Sequence, residues 1–361
     1  MRILLGMSGG IDSSVAAMVL KKEKYDVAGA TFRTYDQISQ ACMAREKGCC
    51  AVDAIFEAQR LAADFGIDHH ILDFRREFRD TVIADFIDQY MSGRTPNPCV
   101  VCNATIKWGK MIEYALANGY EAIATGHYAR IGITPDGRYF LRRGADKAKD
   151  QTYFLWRLTQ DNLRRTIFPL GDYTKPEVRR MALEAGYEKL SKKTESQEIC
   201  FVPDNDYRHF LRKNVQNYDE KIKKGDFIDI EGKKIGTHQG CSNYTIGQRK
   251  GLGVAFGEPR FVVGIDPDTN TVKLGLREDL LADKCVITNV NMMKMADFTD
   301  GMPAMAKLRY RSNPVAALLY HHPAGIELRF DTPAESVTPG QSAVLYTGDD
   351  YDDVLGGGVI L

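Results

Sequence analysis

The residues best suited to phosphate chemistry stand near the start of the chain. Residues 7–14 read MSGGIDSS, between an apolar stretch at 3–5 and a helix-forming stretch at 15–20. A strand, a glycine-rich turn and a helix start form a phosphate cradle, because glycines allow close backbone approach and the first helical N–H groups bind anions. The lysine of a Walker A loop is absent. Asp12 would repel phosphates unless a cation bridges them, so the run predicts Mg²⁺ beside a nucleotide.

Two cysteines at CxxC spacing form the second reactive group. Residues 97–103 read NPCVVCN and place Cys99 and Cys102 at a predicted helix start. Such a pair serves as a redox couple, as half of a zinc site, or as a reactive thiol whose pKa the helix N-terminus lowers. The adjacent Cys49 and Cys50 have poor spacing for tetrahedral zinc. Inert buried cysteines are the plain alternative, and the residues alone leave these interpretations open.

Cys200 lies in the run ESQEICFVP at 195–203. A single cysteine beside apolar residues is more typical of a core than of a catalytic group. Its interpretation therefore depends on whether a partner thiol is brought to it.

Basic residues are concentrated locally in a chain that is neutral overall, with 48 Lys and Arg against 48 Asp and Glu. A run near residues 142–149 is typical of a solvated face, but it is also the best candidate for a phosphate-binding track. Lys307, Arg309 and Arg311 alternate, which predicts that they share one strand face as a basic stripe suited to RNA backbone.

The elements that must position these groups follow a βα alternation. Predicted strands at 3–5, 27–32, 69–73 and 122–125 alternate with helices, which indicates a doubly wound parallel sheet. Its ligand site lies at the carboxyl ends of the strands, where the loop at 7–12, Phe32 and Gly126 all fall. Residues 33–50 are predicted to form a loop. After about residue 205 short strands and turns dominate, and from about 280 they predict an all-β barrel.

Composition restricts the class of protein. The chain has 361 residues with 44% hydrophobic content, enough for two or three domains with buried cores. It contains eight cysteines, too few for a disulfide scaffold. An 18-residue apolar stretch and a signal peptide are both lacking. We therefore expect a soluble, cytoplasmic protein without a membrane partner.

Seven motifs together carry a family resemblance. They are GMSGGIDSS, NPCVVCN, TGHYAR (125–130), KDQTYFL (149–155), ESQEICFVP, TIGQRKGLG (245–253) and KLRYR (307–311). The first resembles the loop of the N-type ATP pyrophosphatases, and the collinear set resembles the tRNA-specific 2-thiouridylases over nearly the whole chain. The resemblance implies an ATP pyrophosphatase domain at 1–205, a small central domain at 206–279 and a C-terminal β-barrel domain at 280–361.

The resemblance also implies a role for each matching residue. The ATP loop and adenosine positions are matched by Gly6, Met7, Ser8, Gly9, Gly10, Ile11, Asp12, Ser13, Phe32 and Gly126. Cys102 matches the family's nucleophile and Cys200 the persulfide carrier, and the two can close a disulfide. The segment that contacts the target base is matched by Asn97, Pro98 and Cys99. The tRNA-contact positions are matched by His127, Lys149, Asp150, Gln151, Arg309, Tyr310 and Gln341.

The implied activity is ATP-dependent 2-thiolation of the wobble uridine (position 34) of tRNA, by adenylylation of the C2 oxygen and sulfur transfer from a cysteine persulfide. ATP and Mg²⁺ are implied, with the tRNA anticodon arm and a sulfur-donor protein as partners. Cys99 departs from the family, many members of which carry aspartate there. Three convergent thiolates could hold a 4Fe–4S cluster. The preferred interpretation is that Cys99 lines the base pocket and sulfur moves without metal.

Two other functions compete with this one. The first is an amidoligase of the same superfamily, which needs no paired cysteines, so NPCVVCN and Cys200 count against it. The second is a non-catalytic, zinc-stabilised RNA-binding protein with a degenerate nucleotide loop. The intact Ser8, Gly9, Gly10 and Asp12 count against that alternative.

Overall fold

The computed structural model describes residues 1–35, 52–193, 199–202, 205–254, 257–335 and 337–361. The loop predicted at 33–50, with Cys42, Cys49 and Cys50, lies outside the described residues from position 36 onward. The chain divides into two compact units. The first contains residues 1–83, 99–205 and 352–354, and the second contains residues 84–98, 206–351 and 355–361.

Parallel strands form the centre of the first unit. The strands here are β1 (Arg2–Gly6), β2 (Asp26–Arg33), β3 (His69–Asp73), β4 (Ala122–Ala124), β5 (Ala129–Ile133), β6 (Tyr139–Arg143) and β7 (Thr166–Ile167). Five of them form a sheet in the order β3-β2-β1-β4-β7, with parallel pairing throughout. Ile3, Leu4 and Leu5 are fully buried, as expected for a central strand covered on both faces. The predicted doubly wound α/β fold is confirmed.

Helices connect these strands. In chain order the helices up to residue 191 are α1 (Ile11–Lys22), α2 (Val52–Asp64), α3 (Arg75–Phe78), α4 (Ala84–Met91), α5 (Pro98–Cys102), α6 (Met111–Ala117), α7 (Gln160–Arg164), α8 (Lys175–Glu184) and α9 (Glu188–Ser191). Of these, α4 belongs to the second unit. Single π-helical stretches follow α3 at Arg79–Ile83 and α5 at Asn103–Lys110. The helix predicted from about 104 thus begins six residues earlier, at Pro98, since proline suits a first turn.

The order of the sheet identifies the ligand edge. From β1 the chain moves outward to β2 and β3, then returns to pair β4 on the opposite side of β1. The carboxyl ends of β1 and β4 therefore flank the topological switch point, where ligands bind in open α/β sheets. The loop at 7–10 follows β1 at this point. The antiparallel hairpin β5–β6 follows β4, and Arg142 of β6 pairs with Asp353.

A four-stranded sheet forms the first part of the second unit. Two helices precede it, α10 (Tyr207–Asn214) and α11 (Tyr218–Lys221), and its strands are β8 (Gly225–Ile228), β9 (Lys234–His238), β10 (Phe261–Asp266) and β11 (Thr271–Gly275). The strand order is β10-β11-β8-β9. Phe227, Val262, Val272 and Leu274 form its fully buried core.

The C-terminal part is a closed six-stranded barrel, as predicted. Its strands are β12 (Leu281–Met292), β13 (Met302–Lys307), β14 (Val315–His322), β15 (Gly325–Glu335), β16 (Ser342–Thr347) and β17 (Asp353–Ile360). They follow the order β12-β15-β14-β13-β16-β17, and β17 pairs back to β12 through Ile360 and Ile287. Short 3₁₀ turns complete the chain at Thr152–Phe154, Cys241–Asn243, Glu278–Leu280 and Asp349–Tyr351.

One strand prediction in the barrel is wrong. β13 ends at Lys307, so Lys307, Arg309 and Arg311 do not share a strand face. Arg309 lies in a turn closed by its own N–H bond to the Ser312 hydroxyl and by the Ser312 N–H bond to the Arg309 carbonyl. The Ser312-Asn313-Pro314 sequence is a turn signal that outweighs the alternation of charges.

Within the part of the chain that the structure describes, no helix is long and apolar enough to cross a membrane.

Candidate nucleotide and thiol site

The glycine-rich loop is shaped by its own serines. Gly10 precedes α1, and its carbonyl accepts hydrogen bonds from the hydroxyls of Ser13 (3.1 Å) and Ser14 (2.9 Å). The Ser8 N–H in turn donates to the Ser13 hydroxyl at 3.2 Å. Gly9 has φ +67°, and a Cβ there would stand 2.7 Å from the Ala54 carbonyl oxygen. Glycine is therefore required at position 9 by both conformation and space.

The end of β4 comes directly against this loop. A Cβ on Gly126 would lie 2.8 to 3.0 Å from backbone atoms of Asp12 and Ser13. On the other side of β1, the Phe32 ring lies 3.7 Å from the position of a Cβ on Gly6. The residues matched to the ATP loop and the adenosine positions therefore meet at the switch point of the sheet.

Asp12 is the centre of a hydrogen-bonded charge network. The Lys175 Nζ donates to its two carboxylate oxygens at 2.7 and 2.9 Å, and the Tyr128 hydroxyl donates to Oδ1 at 2.7 Å. Lys175 is only 5% exposed. A buried lysine needs a carboxylate partner, so the two residues support each other. Sequence reasoning missed Lys175, although the Thr174 to Glu177 capping box fixes it at the start of α8.

A second lysine reaches the loop from beyond α9. Lys193 Nζ donates to the Gly9 carbonyl at 3.0 Å and forms an ion pair with Glu57. It was also missed, because nothing in its local sequence indicates the long-range contact. The two lysines thus bring ammonium groups to the loop, each paired with a carboxylate, Asp12 or Glu57.

The two matched cysteines lie on segments that pack on one helical turn. Cys99 is exposed, whereas Cys102 and Cys200 are partly buried. Beside Cys200, the Phe201 ring lies 5.6 Å from the Phe78 ring, edge to face. Three residues after Cys102, the Thr105 hydroxyl lies 3.4 Å from that of Thr81. Residues 78–81 therefore support both thiol segments within the first unit.

The less favoured alternative from the sequence, in which three thiolates hold a cluster, finds no formed ligand set here. Among residues 1–35, 52–193 and the other described ranges, no three His, Cys, Asp or Glu side chains are arranged to hold a metal ion. Cys99 points to a more exposed environment than Cys102 at the other end of the short helix α5. The spacing of the cysteines in sequence did not determine this difference.

His127 lies next to the ligand edge as a neutral imidazole. Its Nδ1 is 2.8 Å from the Thr125 hydroxyl, and its ring lies 5.5 Å from that of Trp108. Burial, and then the positive charge of Lys107, holds the pKa of His127 well below its usual 6.5. A contact of this residue with RNA would therefore use a neutral ring and not a cation.

The segment 149–151 has a structural role of its own. Asp150 is buried, accepts hydrogen bonds from the hydroxyl and N–H of Thr152 and lies 3.4 Å from the Arg143 guanidinium. The Gln151 side-chain carbonyl accepts the Tyr128 N–H at 3.0 Å. Since the Tyr128 hydroxyl also donates to Asp12, Gln151 helps to position the tyrosine that holds Asp12.

In the second unit, the segment before Asn97 is held by a glutamine of the barrel. The Gln341 amide donates to the Thr95 carbonyl at 3.0 Å and to the Pro96 carbonyl at 2.9 Å. Gly340, with φ +89°, passes so close that a Cβ would lie 2.9 Å from the Thr95 oxygen. Both N–H groups of Gln341 are thus committed to positioning the chain that leads to Asn97.

Arg309 connects the barrel to the TIGQRKGLG run. Its Nη2 donates to the Ile246 carbonyl at 2.9 Å and to the Thr338 hydroxyl. The Lys307 ammonium lies 5.3 Å from the centroid of the Tyr310 ring. Lys307, Arg309 and Tyr310 of the KLRYR motif therefore each have a contact within the second unit.

The chain is similar to known proteins over its whole length. Three family models match: "tRNA methyl transferase HUP domain" at residues 1–204, "tRNA methyl transferase PRC-barrel domain" at 208–275 and "Aminomethyltransferase beta-barrel domain" at 282–360. The chain is 43% identical to the tRNA-specific 2-thiouridylase MnmA of Lachnoclostridium phytofermentans, over 100% of this chain and 99% of that protein. It is 44% identical to the tRNA-specific 2-thiouridylases MnmA of Amoebophilus asiaticus, over 99% and 95%, and of Salinibacter ruber, over 99% and 94%. The chain therefore belongs to the family of the tRNA-specific 2-thiouridylases.

Proposed function

We propose that this protein is an ATP-dependent sulfurtransferase that replaces the C2 oxygen of the wobble uridine (position 34) of tRNA by sulfur. The observation that carries the proposal is that one unit contains both an anion-binding loop and two cysteine segments packed on a common helical turn. ATP activation and sulfur transfer require these two kinds of group. The names of the relatives supply the substrate, tRNA, and the product, 2-thiouridine.

The first step activates a poor electrophile. The uracil O2 attacks the α-phosphorus of ATP, the bond between that phosphorus and the bridging oxygen of pyrophosphate breaks, and an O-adenylated base forms. N–H groups at the start of α1 and the ammonium groups of Lys175 and Lys193 stabilise the charge that develops on the phosphates. Gly9 and Gly126 allow the backbone to come close enough.

The residues of the loop do not fit Asp12 as a direct Mg²⁺ ligand. Both of its carboxylate oxygens accept hydrogen bonds from Lys175, and one also accepts from Tyr128. An ammonium group at this distance offsets the charge of the carboxylate and so weakens its attraction for a second cation. In the proposed chemistry Asp12 therefore positions Lys175, and no step depends on Mg²⁺ or on an iron–sulfur cluster.

The second step transfers sulfur between cysteines and the base. Cys200 carries a persulfide, and its terminal sulfur attacks C2 while the C2–O bond breaks and AMP leaves. Cys102 thiolate then attacks the inner sulfur of Cys200, which forms a Cys102–Cys200 disulfide and leaves the thiocarbonyl on the base. Alternatively Cys102 attacks first and releases sulfide, which itself displaces AMP. Both routes end in the same disulfide, which a thiol reductant must reduce before the next turnover.

The RNA contacts are part of the same proposal. The target base must leave the anticodon stack, as it does in other base-modifying enzymes. We assign its contact to Asn97, Pro98 and Cys99. We assign further tRNA contacts to His127, Lys149, Arg309 and Tyr310, while Gln341, also matched to a tRNA-contact position, positions the segment that leads to Asn97. We also propose that a donor protein delivers the persulfide sulfur and that the protein is cytoplasmic. The proposed domain boundaries lie after residues 205 and 279.

Product analysis tests the proposal directly. The protein is incubated with ATP, a persulfide donor and unmodified tRNA, and nucleosides are then analysed by mass spectrometry. We expect 2-thiouridine from the wild type and none from Cys102→Ser or Cys200→Ser, with ATP affinity unchanged in both. Normal thiolation by either variant contradicts the roles of the two cysteines. An amide product with an amine acceptor would favour the amidoligase alternative, and RNA binding without pyrophosphate release would favour the non-catalytic one.

A further inference from the structure

A cavity in the second unit is lined by none of the residues assigned above. It has a volume of about 610 Å³ and lies between α10 and the segments that follow β9. We call it the central pocket and define it by Arg208, Arg212 and Lys213 on the helix side and by Asn243, Tyr244 and Gly251 on the other. The last of these belongs to the TIGQRKGLG run, whose role the proposed chemistry does not explain.

The central pocket is positively charged in a chain that is neutral overall. Within the described ranges, neither Arg208 nor Lys213 has a carboxylate at ion-pair distance. Arg212 pairs with Asp219 at 3.1 Å, but both side chains are more than half exposed, so water weakens that pair. Asp206, the acidic residue of the lining, caps α10 by accepting the N–H of Arg208 at 3.0 Å, and its carboxylate offsets one of the three basic side chains. The remaining excess of positive charge points to an anionic ligand.

The walls of the central pocket are held in place before any ligand binds. The Arg208 Nε donates to the Asn243 carbonyl at 2.9 Å, and its guanidinium carbon lies 6.0 Å from the centroid of the Tyr244 ring. The Asn243 side chain is itself fixed, since it accepts from the Tyr218 hydroxyl at 3.1 Å and donates to the Gln239 carbonyl at 2.8 Å. Fixed arginine donors reduce the entropy lost when a ligand is bound.

We infer that the central pocket binds backbone phosphates of the tRNA substrate. This inference rests on the proposed function. Guanidinium groups match phosphate geometry through paired hydrogen bonds, and a lysine adds a point charge. Gly251, with φ +75°, carries no side chain that would keep the backbone away from a bulky polyanion. Contacts of this kind position RNA without reading its sequence, so the central pocket contributes affinity and register but not base specificity.

Charge reversal tests the inference. We compare wild type with Arg212→Glu/Lys213→Glu, and with the control Lys221→Glu/Lys233→Glu, which changes net charge equally at exposed lysines of the same part of the chain. The probe is an in-vitro transcribed, unmodified tRNA, with Kd measured over a range of salt. We expect the pocket variant to bind roughly ten-fold more weakly or worse, with a slope of log K against log salt shallower by about 1 to 2. The control should change Kd by less than about two-fold.

Several outcomes overturn the inference. Equal loss in both double variants shows an effect of net charge alone. An unchanged salt slope in a pocket variant with wild-type thermal unfolding shows that RNA does not occupy the central pocket. Unchanged tRNA affinity with lost binding to poly-glutamate assigns the central pocket to an acidic protein. If the glutamates impair folding, Arg212→Ala/Lys213→Ala replaces them and must show the same direction of change.

Failure of this inference is distinguishable from failure of the proposed function. Binding is measured without ATP or a sulfur donor, so an absence of 2-thiouridine leaves the binding result readable. Conversely, the pocket variant at saturating tRNA should keep the wild-type kcat for 2-thiouridine formation while its KM for tRNA rises. A fall in kcat with unchanged KM contradicts a binding role for the central pocket.

Discussion

The glycine-rich loop at 7–13 and the segment at 95–98 are both short, glycine- or proline-rich stretches, yet they are built differently. We call the second the base-contact segment, because it includes Asn97 and Pro98, two of the residues proposed to contact the target base. The loop is shaped mainly by bonds between residues three to five positions apart, such as Ser8 with Ser13. The base-contact segment is shaped by Gln341, about 245 positions later, which holds two of its carbonyls. The first stretch carries its shape in its own sequence, and the second takes it from the barrel.

This difference leads to separable effects. Changes at the loop should impair the phosphoryl step and leave tRNA affinity intact. Changes at the barrel residues that hold the base-contact segment should impair the use of tRNA and leave the ATP reaction intact. A variant in one of the two regions that impaired both the ATP reaction and tRNA affinity would contradict this separation.

Lys175→Met should have the largest effect. It removes an ammonium group from the proposed phosphate site and leaves the Asp12 carboxylate without its cation, so we expect the rate of tRNA-dependent pyrophosphate release to fall on the order of 10²-fold or more. Stability should fall as well, because breaking a buried pair leaves an uncompensated charge. The measurements are pyrophosphate release and thermal unfolding, with Lys189→Met, at an exposed position of α9, as the matched control.

The double variant Asp12→Asn/Lys175→Met sharpens this prediction. If Asp12 acts by holding Lys175, the double variant should recover stability relative to Lys175→Met while activity stays low, and the two changes should not be additive. Additive losses of activity would show that Asp12 has a separate role, such as holding a cation.

Much of the loop was predictable because its determinants are local, whereas its cations were not. The glycines, the helix start and the edge of the sheet follow from residues 3–20 and from the βα alternation. Lys175 and Lys193 come from segments more than 160 positions away, and a contact between two distant residues leaves no periodic pattern in the sequence. The same reason hid the contact of Gln341 with Thr95. Sequence periodicity reports which faces are buried, but it does not report which distant side chain completes a site.

Gln341→Leu should have an intermediate effect. Leucine keeps most of the volume but donates no hydrogen bond, so the Thr95 and Pro96 carbonyls lose their partner and the base-contact segment loses its fixed position. We expect the KM for tRNA to rise about ten-fold, in line with the loss of two hydrogen bonds of roughly 0.5 to 1.5 kcal/mol each, while ATP affinity stays unchanged. Steady-state kinetics with tRNA as the varied substrate measures this.

Gln341→Glu distinguishes positioning from direct RNA contact. Glutamate cannot donate to the two carbonyls and places a charge against them, so it should be worse than leucine at every salt concentration. If Gln341 instead acted only through phosphates, the penalty for glutamate would decrease strongly as salt rises. A strong salt dependence would therefore contradict the positioning role.

The smallest effect concerns a barrel histidine outside both regions compared above. Both ring nitrogens of His321 face carboxylates, Asp300 at 2.8 Å and Asp297 at 3.1 Å, and its ring stacks on Phe298 at 4.3 Å. Bonds to Asp297, then to Asp300, raise the pKa of His321 above its ordinary value of 6.5. In the protonated ring, which this raised pKa favours, both nitrogens donate to these carboxylates. Arg329 also faces Asp300 and lowers the pKa of that carboxyl further.

The direction of the pH effect follows from that raised pKa. A group that binds its proton more tightly when folded stabilises the fold fully below its unfolded pKa, about 6.5, and loses this contribution as pH rises through its folded pKa. The thermal midpoint of wild type should therefore fall more between pH 6 and about pH 8 than that of His321→Gln. His322→Gln is the matched control, since the Nδ1 of His322 only accepts the Ala324 N–H. Because all these groups are exposed, the difference should be small, and parallel curves for wild type and His321→Gln would show that the imidazolium does not stabilise the barrel.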